Sequence, residues 1–207
     1  ALVEAAHAMG RKVAAHAHGK IGMEAALRAG VDSIEHGSFL DAETADLFVA
    51  TGAYLVPTLI AGHTVERIAT EQPDFYVPEV RQKAIEVGPI MKTALRTAYE
   101  KGVKIAFGTD AGVNDHGTNA YEAVLMNEAG MPERAILISA TINAAELIGI
   151  TDITGTIEVG KDADIIAVGG NPLEDISTLL QPSYVMVRGN EVDLDVPPVN
   201  LFPWPDI

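Results

Sequence analysis

The chain has 207 residues, 48% of them hydrophobic, which is enough to bury one sizeable core, and 29 acidic against 14 basic side chains give a formal charge of −15. There is no Lys/Arg cluster, no apolar run of bilayer-spanning length and no charged-then-apolar leader at the start, so neither nucleic acid nor a membrane is expected as a partner. The absence of cysteine excludes disulfides and thiolate metal sites, and any metal must be held by histidines and carboxylates.

The opening residues, ALVEAAHAMG, have the spacing of a helix already in progress, with Leu2, Val3 and Ala6 on one face and Gly10 as its stop. On this reading the chain starts in the middle of a fold. An apolar run, RKVAAHAHG, precedes a helix, IGMEAALRAG, that Gly30 closes. VDSIEHG is the next strand, and DAETADLFVATG is a helix capped by Asp41 and ended by Gly52. AYLVPTLI is a third β-rich run. A long helical segment from about Pro78 to Lys101 leads to a fourth, GVKIAFGTDAG.

Two helices follow, TNAYEAVLMNEAG and PERAILISATINAAELIG, with Pro132 at an N-terminal position and Gly149 at the end. Beyond Gly149 three short β-like runs, Thr156–Val159, Ala163–Val168 and Tyr184–Val187, are separated by Gly and Pro. The expected organisation is therefore an α/β unit over 1–150, a small β portion over 151–192 and a Pro-rich tail over 193–207, extended or poorly ordered.

Strands alternating with helices imply parallel strands with crossover helices, as in a doubly wound sheet or a (β/α)8 barrel. Chemically capable side chains fall at three strand ends: His16 and His18, His36, and Asp110. A barrel gathers strand ends from all round its ring into one site, so the barrel explains the pattern better. Residues i and i+2 of a strand face the same way, which points His16 and His18 to one side and Ala15 and Ala17 to the other. Imidazole and carboxylate suit Zn²⁺ and related ions, and a carboxylate beside metal-activated water can also take its proton. Asp110 could be both ligand and general base. His7, on the opening helix, and His63, in a loop, read as solvated. His116, in the loop after the Asp110 strand, overhangs the site. Neither GxGxxG nor GxxxxGK[ST] occurs, and Ser139 and Thr141 lack a G-x-S-x-G context, so nucleotide and serine-hydrolase readings have no support.

In this order VAAHAHG, AGVDSIEHGSFLD, YLVPTL, IAFGTDAGV, EAGM, ATINAAELIGI and GTIEVGKDADIIAVGGNPLEDI resemble the C-terminal half of the amidohydrolase superfamily, in its branch related to imidazolonepropionase and Xaa-Pro dipeptidases. The resemblance implies the second half of a (β/α)8 barrel with part of a small β-sandwich. It implies metal ligands at His16, His36 and Asp110 on the fifth, sixth and eighth barrel strands, with Asp110 as general base. It further implies substrate contacts at His18, His116 and, more weakly, Tyr54. The cofactor implied is a divalent metal, zinc, as one or two ions in the complete enzyme. The implied substrate is a small peptide or amide. The alternatives are a cyclic amide or lactone as substrate, or a catalytically inert fragment. The family's first-strand His-x-His pair and its fourth-strand lysine have no counterpart in the sequence. A half barrel also exposes two sheet edges, so the remaining half or self-association is expected to complete it.

Overall fold

The computed structural model describes residues 1–195, so the tail expected from 193 onward lies almost wholly outside the described residues. Helix α1 (Leu2–Ala8) leads into four strands: β1 (Ala14–Ala17), β2 (Ser33–His36), β3 (Tyr54–Val56) and β4 (Lys104–Ile105). They pair in chain order and all in parallel, with His16 beside Glu35 and Ala17 beside His36. Helix α2 (Lys20–Arg28) crosses from β1 to β2, α3 (Ala42–Thr51) from β2 to β3, and the pair α4 (Leu59–Glu71) and α5 (Pro78–Glu100) from β3 to β4. Spatial order equal to chain order is what successive barrel units give; a doubly wound sheet reverses at a switch point.

The period of two divides the sheet's faces. Ile34, Leu55 and Ile105 pack into the main core with the helices, and Ala15 and Ala17 lie against it. Tyr54, Val56 and Ala106 form a separate small cluster on the opposite, barrel-inner face. Met23, Leu27, Ile34, Phe48 and Leu55 are at most 1% exposed, each side chain contributing about 1.5–3 kcal/mol by burial. Local signals act as their chemistry predicts: the Asp41 carboxylate accepts the Thr44 N–H at 2.9 Å to start α3, and Gly52 ends it in the left-handed region at φ 74°.

Several elements differ from the sequence reading. In α1 only Val3 and Ala6 turn inward, while Leu2 is 74% exposed. The third β run stops at Val56, because Pro57 cannot donate to a ladder and Thr58 adopts φ 47°, and Leu59 and Ile60 begin a helix instead. His63 is consequently half-buried on α4, its ring 5.6 Å from that of Tyr121, and not in a solvated loop. The fourth run pairs over two residues, plus one bond from Ala106 N–H to the Leu55 carbonyl; Phe107 N–H then turns to the Ser139 carbonyl. Asp110 therefore lies in the loop beyond β4.

After α6 (Tyr121–Glu128), the helix expected from Pro132 is α7 (Glu133–Ile138), a π-helical turn (Ser139–Asn143) and α8 (Ala144–Ile148). Within the turn Asn143 donates its amide to the Ile105 carbonyl at 2.8 Å, tying the helices to the end of β4. A second, antiparallel sheet comprises β5 (Ile165–Val168), β6 (Pro182–Val187) and β7 (Asn190–Glu191). Thr156–Val159 forms no strand. Its alternating Ile157 and Val159 are 86% and 108% exposed, with nothing among the described residues to pair with or cover them.

Candidate metal centre

His16 is the third residue of β1, His18 follows its end, and His36 is the last residue of β2. Same-side projection along β1 and the parallel register to β2 bring the three rings together. Their centroids are 4.8 Å apart for His16 and His18, 4.5 Å for His16 and His36, and 4.8 Å for His18 and His36. One ligand atom from each lies within 4.8 Å of the others. His36 sits at φ 75°, a conformation costly for a side chain of its size, and Gly37 follows at φ 61°. The chain thus turns sharply as it presents the imidazole.

Two hydroxyls orient these rings. Nδ1 of His18 bonds Ser38 Oγ at 2.7 Å, and Nδ1 of His36 bonds Thr58 Oγ1 at 2.7 Å. Each tether comes from the loop ending the next strand, and each leaves Nε2 free to bind an ion, as partnered ligand histidines do. Burial pushes the His36 pKa down to about 4, helped by His18 and His16 and opposed by Asp110. Burial, then His16 and Lys83, lowers His18 as well. Crowded imidazoles held neutral are nitrogen donors, which is the form a divalent cation requires.

A cavity of about 230 Å³ opens over the cluster. The three histidines and Asp110 line it, together with Ala61 and Gly62 of α4 and Val87 and Met91 of α5. Asp110, at φ 51°, shares the cavity but is not one of the groups that converge within 4.8 Å. The sequence reading did not single out Glu35. This half-buried carboxyl stands in register with His16, accepts from Ser33 Oγ at 2.6 Å, and is raised by burial and by the neighbouring Asp110 charge. An acidic residue directly preceding a strand-end histidine was the available signal. Ser38 and Thr58 were also missed, since a small hydroxyl in a turn looks like any other turn residue.

The remaining candidates lie elsewhere. Tyr54 starts β3, at the end of the strand remote from the cluster, with Lys104 Nζ 5.1 Å from its ring centroid; burial and a hydrogen bond to Glu146 raise its hydroxyl. It does not line the cavity. His116 is exposed in the loop after Asp110 and lines neither this cavity nor the neighbouring one. That second cavity, about 420 Å³, shares Val113 with the first and is lined by His63, Arg67, Asn114 and Tyr121 among others. A nitrogen-rich cluster with an adjacent carboxylate, at strand C-termini under a helical cover, is suited to a hydrolytic metal ion.

Comparison with known proteins bears on this geometry. Residues 1–192 match the family model described as the amidohydrolase family. Ochratoxinase of Aspergillus niger is 34% identical over 186 residues, 89% of this chain and 38% of that protein. A crystal structure of a Xaa-Pro dipeptidase with bound methionine in the active site is 51% identical with a TM-score of 0.88, covering 93% of this chain and 47% of that one. A prolidase complexed with N-methylphosphonate-L-proline is 32% identical with a TM-score of 0.83, covering 92% and 47%. The chain thus spans about half the length of these structures. Its four parallel strands are the second half of an α/β barrel of their type.

Proposed function

The chain belongs to the amidohydrolase family, and from that premise we propose that the protein is a metal-dependent hydrolase. It cleaves the amide C–N bond of a small peptide-like substrate, as a dipeptidase or carboxypeptidase does. The observation that carries the reading is the convergence of His16, His18 and His36 in a cavity that Asp110 also lines. His16, His36 and Asp110 are the proposed ligands of a zinc ion. When bound, the ion supplies Lewis acidity, polarising the scissile carbonyl and bringing a water's pKa toward neutrality. Asp110 takes the proton from the attacking water and delivers it to the leaving nitrogen. Asp110, at φ 51° in the loop beyond β4, lines the same cavity as the histidines. His18, fixed by Ser38, orients the substrate beside the ligands.

Arg67 supports a substrate with a free carboxylate. Its one ion-pair partner among the described residues is Glu71, 3.9 Å away and exposed, and its cavity adjoins the cluster. The names of the relatives, a Xaa-Pro dipeptidase, a prolidase and ochratoxinase, are in keeping with amide cleavage. Completion of the barrel by further β/α units, from the same chain or a second copy, belongs to the proposal, because β1 and β4 are both sheet edges.

Metal analysis with a peptidase assay on the native protein and two variants tests this. His36→Ala is expected to lose stoichiometric zinc and activity, and His18→Ala to keep zinc with a raised KM. Equal zinc in the native protein and in His36→Ala would sink the ligand assignment.

A further inference from the structure

The N-terminus of α4 is built in an unusual way. A helix start leaves its first N–H groups unsatisfied, and a threonine in the position of Thr58 ordinarily turns its own hydroxyl back to accept one of them. Thr58 does not do so. It adopts φ 47° and ψ 44°, and its side chain makes no capping bond. Its Oγ1 is turned instead to His36 Nδ1 at 2.7 Å. The N–H groups of Leu59 and Ile60 are taken by a residue more than sixty positions later: Glu122 of α6 accepts them at 2.9 Å and 2.6 Å, one on each carboxyl oxygen. Glu122 is 0% exposed, and these two N–H groups are the hydrogen-bond partners of its carboxyl among the described residues.

We infer that Glu122 is a positioning residue for the metal centre: it substitutes for Thr58 as the cap of α4 and so releases the Thr58 hydroxyl to orient His36. Burying a carboxyl completely is costly, and at φ 47° and ψ 44° Thr58 is outside the extended backbone from which a threonine caps its own helix. Glu122 supplies the cap that this conformation leaves open, and the conformation keeps the Thr58 hydroxyl on His36. A Thr58 hydroxyl accepting from Nδ1 favours the Nδ1–H tautomer of His36, which leaves its Nε2 lone pair for an ion. When the α4 N–H groups lose Glu122, they compete for the same hydroxyl, and the imidazole is freed to rotate and to exchange tautomer. Burial pushes the Glu122 carboxyl up to about 8, against the pull of the Ile60 and Leu59 N–H bonds.

The inference rests on the metal-centre reading, and the test separates the two. Glu122→Gln, Thr58→Ala and the double variant are prepared in the complete protein, and zinc affinity is measured by competition with a chelator. The tautomer of His36 is read in the metal-free state from its ring ¹⁵N shifts. Glu122→Gln keeps one acceptor oxygen, and alanine relieves a β-branched residue at positive φ, so both variants favour a folded product. Each single variant is expected to weaken zinc binding roughly tenfold and to raise the Nε2–H tautomer of His36. The double variant is expected to bind no more weakly than Thr58→Ala alone, because Glu122 acts through Thr58. Losses that multiply in the double variant, or an unchanged His36 tautomer in a folded Glu122→Gln protein, would overturn the inference. Native protein that binds no zinc but shows the tautomer shift would instead refute the metal centre and leave the Glu122–Thr58–His36 coupling standing.

Discussion

Replacing Gly37 with alanine perturbs the site through the backbone alone. Gly37 follows His36 at φ 61°, where an L side chain costs about 1 kcal/mol. A Cβ added there would stand 2.6 Å from Leu55 Cδ1 and 3.7 Å from Met23 Sδ. Leu55 is 1% exposed and packed in the main core between sheet and helices, so its terminal methyl moves only against filled space. Overpacking a filled core adds about 1–3 kcal/mol, for a total of about 2–4 kcal/mol. The Gly37 N–H also bonds the Ala17 carbonyl at 3.1 Å, so a shift of Gly37 pulls the ends of β1 and β2, and with them His16 and His36, out of register. Urea unfolding of Gly37→Ala is expected to show the lost stability, and chelator competition a weaker hold on the proposed zinc ion. A variant within 0.5 kcal/mol of the native protein, with native zinc affinity, would refute the claim that this turn holds the two histidines in place.

Glu122 also makes a prediction about pH. Its carboxyl, ordinarily near 4.5, is pushed up to about 8 in the fold, chiefly by burial. The folded state therefore holds a proton that the unfolded chain releases between those values, and stability present at the acid end is lost as pH rises through about 8. His36, held down at about 4, contributes the opposite trend in both proteins, so the change in unfolding midpoint from pH 5 to pH 8 should be less favourable in the native protein than in Glu122→Gln; equal slopes would contradict this. At the α3 N-terminus, Asp41→Ala removes the bond from Thr44 N–H and should cost about 1 kcal/mol. Its exposed pair with Lys20, mainly responsible for holding the carboxyl at about 2, adds little beyond the cap, so the loss should persist at high salt. A deficit that vanished in 1 M salt would assign the effect to the ion pair.

The sequence was legible wherever a local rule decides the outcome. Period two in VAAHAHG put His16 opposite Ala15 and Ala17, and the β/α alternation with strand-end histidines indicated parallel strands of a barrel. Asp41 and Gly52 marked α3 because capping and left-handed turns depend on a few neighbouring atoms. The reading was poorer where the outcome depends on pairing. Thr156–Val159 has the alternation of a strand, but a strand exists only when another backbone takes its hydrogen bonds. AYLVPTLI has the composition of one long strand, but Pro57 and the left-handed Thr58 divide it into β3 and the start of α4.

By itself, then, the sequence determined the order of units, the face of each strand and the residue types able to hold a metal, because these follow from backbone geometry and short-range chemistry. Only the tertiary structure decided which groups meet. It stacked His18 with His36, left Asp110 on the cavity wall, and carried Tyr54 to the far end of its strand. It also brought Glu122 across more than sixty residues to the first turn of α4, leaving the Thr58 hydroxyl for His36. A hydrogen bond between distant segments leaves no periodic trace in the sequence, since its partners are set by how the helices pack.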